Sequence, residues 1–137
     1  MNSPAMQVLL VEDHAIVRET LQDFVERLPQ VSNCRAVSSA EAALQFLTGH
    51  SPDLLVIDLS LPGMSGIEFL RAVRERLPKL RCLILSGHSS RNYVRQAFEA
   101  GANGYVLKGD PMEIERGIRA AHLGERYVSQ GLDDIRH

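Results

Sequence analysis

Six polar residues stand where chemistry is possible: Glu12, Asp13, Asp58, Ser86, Tyr105 and Lys108. Glu12 and Asp13 follow the apolar run MQVLLV. Asp58 closes DLLVID, Ser86 closes LRCLILS, and Lys108 closes NGYVLK with Tyr105 three residues before it. Carboxylates gathered in one place repel one another and hold their protons unless a cation offsets the charge. An all-oxygen set with few protein ligands suits Mg²⁺, which keeps several waters and accepts one or two carboxylates. Lys108 can pair with Asp58 when nothing is bound. Beside a phosphoryl group, Lys108 and Ser86 can hydrogen-bond its oxygens, and Asp58 becomes a nucleophile able to form an aspartyl-phosphate.

This chemistry needs a scaffold that brings the ends of several apolar runs together, and the hydrophobic pattern supplies one. Residues 6–11 form a run too short for a buried helix, so they read as a strand. Val17, Leu21, Phe24, Val25 and Leu28 then recur at helical spacing, with Pro29 behind them. A second strand near 31–37 precedes a capping box of Ser38 and Glu41, which opens a helix with Ala40, Ala43, Leu44 and Leu47 on one face. The third strand is 53–58. Ser65 and Glu68 form another capping box, before a helix with Ile67, Leu70, Val73 and Leu77 inward. The fourth strand is 80–86, followed by a helix marked by Val94, Ala97 and Phe98 and closed by Gly101. The fifth strand is 103–108. Asp110 then reads as an N-cap with Pro111 as the first helical residue. Ile114, Ile118 and Ala121 face inward on the last helix, where Gly117 weakens the helix by roughly 1 kcal/mol relative to alanine.

Five strand–helix units with strands apolar almost throughout predict a parallel sheet covered on both faces. Right-handed crossovers make it a doubly wound (βα)5 α/β sandwich. Ligands in such folds bind beyond the carboxyl ends of the strands, where Glu12, Asp13, Asp58, Ser86 and Lys108 stand. Asp58 would be fixed by its buried strand, with Pro62 stiffening the turn behind it and Gly63 and Gly66 relaxing the backbone. The expected organisation is a tail over 1–5, one domain over 6–128, and a tail or the start of a linker over 129–137.

The whole-chain totals narrow the classes. The chain has 137 residues, 45% apolar, with a net charge of −2. That suits a folded domain with a core rather than a disordered chain. The two signs of charge are interspersed, unlike the clustered basic footprint of a nucleic-acid surface. No apolar run reaches membrane-spanning length, and MNSPAMQ has neither a basic flank nor an apolar signal segment, so the expected location is the cytoplasm. Cys34 and Cys82 fall in predicted strands without metal-ligand spacing, so they read as buried reduced thiols. His14 and His88 have no spaced partner and read as surface or loop histidines. Arg95, Arg116 and Arg119 read as a solvated face.

Taken together, the motifs resemble the receiver domain of two-component response regulators. The match runs through VLLVEDH, DLLVIDLSLPGMSGIEFL, LILSGH and GANGYVLKGD, over residues 6–128. VEDHAIVRE and GANGYVLK look most like the branch whose members usually carry a C-terminal LuxR-type helix-turn-helix domain. The resemblance implies the flavodoxin-like strand order 2-1-3-4-5, a partner histidine kinase, Asp58 as phosphoacceptor, and Mg²⁺ held by Asp13, Asp58 and the backbone carbonyl of Ser60, with Glu12 assisting through water. It also implies a switch in which Ser86 moves toward the phosphoryl group and Tyr105 turns inward, reshaping the surface of helix 4, strand 5 and helix 5. Phosphorylation-linked homodimerisation over a face that includes the last helix belongs to the same expectation, as does DNA binding through a C-terminal domain rather than through this chain. Gly109 stands where many family members have proline after the lysine, so no cis constraint is expected there.

Bland readings stand beside these. Asp58 alone would be a turn acid, and Glu12–Asp13 could cap helix 1. Tyr105 could be simple packing. Two other functions compete. An aspartyl-nucleophile phosphatase or phosphotransferase would carry D-x-D, but Ser60 stands two residues past Asp58. A flavin carrier needs a hydroxyl-rich phosphate loop after strand 1, where EDHAIV places acids. The reading that follows is a phosphorylation-controlled signalling module rather than an enzyme acting on other substrates. It is either a stand-alone receiver or part of a longer regulator, and the branch resemblance favours the latter.

Overall fold

The computed structural model describes residues 4–59, 64–87 and 91–129. The expected roles of Ser60, Pro62, Gly63 and His88, and most of the two expected tails, lie outside the described residues.

Strands and helices alternate along the chain: β1 (Met6–Val11), α1 (Ala15–Glu26), β2 (Val31–Val37), α2 (Ala40–Leu47), β3 (Leu54–Asp58), α3 (Gly66–Arg76), β4 (Arg81–Ser86), α4 (Arg91–Glu99), β5 (Gly104–Leu107), α5 (Pro111–His122) and β6 (Tyr127–Val128). The sheet is parallel with order β2-β1-β3-β4-β5-β6. The expected order of the first five strands holds. The two-residue β6 lies beyond the five expected strands, because two residues carry too little periodicity to register as a strand.

The uniformly apolar strands follow from burial on both faces. Successive side chains point to opposite sides of a sheet. Leu9, Leu55, Ile57 and Ile84 pack in one layer with residues of α2, α3 and α4. Val8, Leu10, Val56 and Leu83 pack in the other with α1 and α5. Leu55 is fully buried; cutting such a residue to alanine costs about 2–5 kcal/mol through lost transfer energy and the cavity left behind.

Gly117 is required by this packing. A Cβ there would lie 2.7 Å from Val106 Cγ2 and 3.2 Å from each Leu83 methyl. The glycine weakens the isolated helix, yet it lets α5 settle against β4 and β5. After α4, Gly101 adopts φ +108°, a conformation that other residues avoid. Arg74 fastens the chain there, donating to the carbonyls of Leu80 at 2.7 Å and Gly101 at 2.6 Å.

Helix starts are partly as expected. Ser65 Oγ accepts from the Glu68 N–H at 3.2 Å, and the Asp110 carboxylate accepts from the Met112 N–H at 3.0 Å with Pro111 behind it. The cap of α2 is Ser39, not Ser38: its backbone is extended and its Oγ accepts from the Ala42 N–H at 3.0 Å. The third residue after Ser39 is alanine, so no reciprocal glutamate bond forms, and Glu41 sits in the first turn as a favourable charge. Leu77 is 36% exposed rather than inward, because it is the C-cap of α3 and its backbone has already left the helical path.

Candidate functional site

β1, β3, β4 and β5 end side by side, and their ends carry the residues singled out above. Asp58 is the last residue of β3 and is 3% exposed. Its neighbour across the ladder is Leu85, and Ser86, fully buried, is paired with Leu107. Gly66 opens α3 directly over this point. A Cβ there would fall 2.8 Å from Leu59 Cα and 3.0 Å from the Asp58 carbonyl oxygen. At this position closeness, not backbone freedom, requires the glycine.

Lys108 reaches back across the strand ends. Its Nζ lies 2.6 Å from Glu12 Oε1 and donates to Asp58 Oδ2 at 3.0 Å. Burial works to lower the lysine pKa, but the contacts with Glu12 and Asp58 outweigh it and the net shift is upward. The ammonium is therefore firmly charged and offsets two carboxylates at once. The sequence suggested only the pairing with Asp58; the pairing with Glu12 depends on how far β1 and β5 lie from each other, which no local pattern reports.

Glu12 and Asp13 leave β1 as a tight pair. Glu12 is fully buried. Its Oε2 accepts from the His14 N–H at 3.1 Å. The N-cap position of α1 is His14, with no side-chain cap bond, so Asp13 does not cap the helix. Arg18, one turn into α1, donates to the carbonyls of Glu12 at 3.0 Å and Asp13 at 3.3 Å and so holds the backbone of the pair. Sequence reasoning passed over Arg18; its only signal was a position one helical turn past the acids. His14 is exposed, as expected of a surface histidine, although its Nδ1 stands 3.4 Å from Glu12 and 3.5 Å from Asp13.

Asp13 Oδ1 is buried and makes no hydrogen bond among the described residues, with His14 Nδ1 nearby at 3.5 Å. A carboxylate oxygen in that condition is costly unless a cation meets it. Glu12, Asp13 and His14 bring ligand atoms within 4.8 Å of one another, and the two carboxylates of that group suit a hard divalent ion such as the Mg²⁺ expected from the sequence. The Ser60 carbonyl lies outside the described residues.

Tyr105 is fully buried on β5, and its side chain interacts with that of Ser86. Burial raises the phenol pKa, and the Ser86 side chain only partly offsets this. The ring packs in the apolar layer with Ile84 and Val128, so the hydroxyl is not at the surface, and the inward position expected only after phosphorylation is already taken.

Comparison with known proteins follows the same line. Residues 8–119 match the response regulator receiver domain. The chain belongs to the response regulator receiver family. This receiver is similar to the transcriptional activator ExaE of Pseudomonas putida, 38% identical over 128 residues, which cover 93% of the chain and 60% of that protein. It is also similar to the DNA-binding transcriptional activator DevR/DosR of Mycobacterium tuberculosis, 36% identical over 124 residues, 90% of the chain and 57% of that protein. The receiver thus spans about 60% of the length of these curated relatives. A LuxR-family two-component response regulator from an Aurantimonas species superposes with a TM-score of 0.90 at 36% identity, covering 96% of this chain and 95% of the other. Among the described residues, no helix is long and apolar enough to cross a membrane.

Outside the rim, Cys34 and Cys82 are buried free thiols. Burial pushes Cys34 up to about 12, helped by the charge of Glu26. It pushes Cys82 up to about 11 against the opposing influence of Arg74.

Proposed function

We propose that this receiver accepts a phosphoryl group on Asp58 from the phosphohistidine of a partner kinase, and so works as a switch rather than as an enzyme on other substrates. The observation that carries the reading is a buried carboxylate at a strand end, Asp58, held 3.0 Å from a charged lysine beside a second acidic pair. An Asp58 oxygen attacks phosphorus as the phosphorus–nitrogen bond to the imidazole breaks and its electron pair returns to the ring nitrogen. Asp13, Asp58 and the Ser60 carbonyl would hold Mg²⁺, with Glu12 acting through water. When bound, the ion would offset the negative charge of the phosphoryl oxygens. Lys108 exchanges its bond with Asp58 for one to a phosphoryl oxygen, and Ser86 donates its hydroxyl to another. Catalysis here is chiefly position and electrostatics.

Ser86 lies against the Tyr105 phenol, whose titration it affects. A pull on the Ser86 hydroxyl therefore changes what Tyr105 meets, and the α4–β5–α5 surface with it. The phosphoryl group biases this element only to the extent that it binds one arrangement more tightly. The output is control of transcription through a DNA-binding domain outside this chain, as the names of its relatives suggest, accompanied by homodimerisation over a face that includes α5. The cytoplasm is the location that suits a kinase-fed switch.

The test is incubation with Mg²⁺ and acetyl phosphate, followed by intact mass. One hydroxylamine-labile phosphoryl group should appear on the wild type and not on Asp58→Ala. Steady donor turnover with no adduct, even at short times, would instead support a phosphatase.

A further inference from the structure

The outer edge of β5 is closed by three residues that follow α5. Gly104 pairs with Tyr127 and Tyr105 with Val128 in the β5–β6 ladder. The next residue, Ser129, is fully buried. Its N–H donates to the Tyr105 carbonyl at 3.0 Å, and its Oγ accepts from the Leu107 N–H at 2.9 Å. On the inner side of the strand, the Lys108 N–H donates to the Ser86 carbonyl at 2.9 Å. The backbone that carries Tyr105 and Lys108 is thus gripped from both sides.

Ser129 has its own support. The Tyr127 hydroxyl lies 3.0 Å from both oxygens of Glu113, and Arg116 Nη1 donates to the same carboxylate at 2.8 Å. Glu113 is 5% exposed. A carboxylate so far from water needs such partners. They tie β6 to the first turn of α5, which sets where Ser129 falls.

We infer that Ser129 is a positioning residue for phosphoryl acceptance: it fixes the end of β5 so that Lys108 meets Asp58 and Glu12 while Tyr105 stays against Ser86. The inference rests on the reading of Asp58 as the phosphoryl acceptor. Leu107 is the residue immediately before Lys108. Without the Ser129 hydroxyl its N–H loses the partner it has at the sheet edge, and a part-buried donor left without that partner favours other backbone arrangements. β6 is only two residues long, so little else in that strand would restore the grip. The metal-facing carboxylates are carried by β1 and β3, which Ser129 does not touch. Its loss should therefore separate two quantities that general loosening would move together.

The full chain as wild type and as Ser129→Ala provides the test, with beryllofluoride as the phosphoryl analogue at saturating Mg²⁺. Losing one net hydrogen bond corresponds to about a three- to tenfold change. Ser129→Ala should bind beryllofluoride about three- to tenfold more weakly and take phosphoryl from acetyl phosphate more slowly. Its Mg²⁺ affinity by calorimetry should not fall, because a less firmly placed Lys108 competes less for Glu12 and Asp58, and the Leu107 and Lys108 amides should exchange faster. If Ser129→Ala does not fold, Tyr127→Phe, which loosens the support at Glu113, carries the same measurements in the same direction. Unchanged beryllofluoride affinity overturns the inference, and so does an equal loss of Mg²⁺ affinity. A wild type that takes neither beryllofluoride nor phosphoryl defeats the parent reading of Asp58, a result visible before any variant is compared.

Discussion

The Lys108 ammonium stands 3.0 Å from Asp58 Oδ2, fifty residues away in the chain, and the same nitrogen lies 2.6 Å from Glu12 Oε1. One cation therefore holds together two strand ends that would otherwise repel. Lys108→Met keeps the length of the side chain and removes the charge. Breaking a buried pair from one side costs about 3–5 kcal/mol. Lys108 keeps 23% of its side chain exposed, so screening by water should reduce the loss to about 1–3 kcal/mol. Urea unfolding at pH 7 should show it, and added Mg²⁺ should return part of it by binding the native state. An unchanged midpoint would mean that the pair contributes nothing.

Alkaline pH should destabilise the protein through several groups at once. The Lys108 pKa is raised in the fold, so its pairing is complete below its ordinary value of 10.5 and is lost as pH climbs through the higher folded value. The thiols of Cys34 and Cys82 hold their protons to about 12 and about 11, whereas the unfolded chain releases them near 9.0. Between those limits the unfolded state binds fewer protons, and stability falls as pH rises. Unfolding midpoints should drop from pH 9 upward. The Cys34→Ala/Cys82→Ala double variant, weaker at neutral pH for lost packing, should lose less over that window. An equally steep decline in the double variant would remove the thiols from the account.

The same burial should make both thiols inert. At pH 8 a disulfide reagent should label neither Cys34 nor Cys82 in the native chain, and both should react promptly in denaturant. Rapid labelling of the folded protein would contradict their placement in the sheet.

Two adjacent serines separate a real cap from an apparent one. Ser39→Ala removes the oxygen that meets the Ala42 N–H and should cost about 1 kcal/mol. Ser38 is exposed, and Ser38→Ala should stay within about 0.5 kcal/mol of the wild type. Equal losses at the two positions would show that the cap is assigned to the wrong residue.

Gly117→Ala sets helix propensity against packing. Alanine favours the helix by roughly 1 kcal/mol. Its Cβ, however, meets Val106 and Leu83 at 2.7 and 3.2 Å, and overpacking of this kind costs about 1–3 kcal/mol. The expected result is a lower melting temperature. Gly49→Ala meets nothing within 4 Å, so it should be neutral or raise stability by up to about 1 kcal/mol. Stabilisation at both positions would show that α5 has room to move outward.

The legible parts of the fold were those written locally. Leu54–Asp58 is apolar until its last residue because both faces of the strand are covered, and that pattern needs no partner to be seen. Ser65 and Asp110 announced their helices through side chains that bond two or three residues on. Ser39 was missed for Ser38 because a capping pattern fixes the helix start only to within a residue, and the extended backbone decides which serine bonds. Leu77 kept the helical spacing but not the helical backbone. Tyr127, Val128 and Ser129 form a segment too short for periodicity, and its role exists only against β5.

The sequence alone determined that parallel strands end on one rim and that the rim carries acids, a hydroxyl and a lysine. Apolar runs, turn residues and strand ends are properties of neighbours along the chain. Tertiary structure alone decided that Lys108 serves Glu12 as well as Asp58, that Tyr105 lies inward on Ser86, and that Ser129 closes the edge beside them. Those are distances of a few ångströms between residues tens of positions apart, set by how α5 and the sheet pack, and no local pattern encodes them.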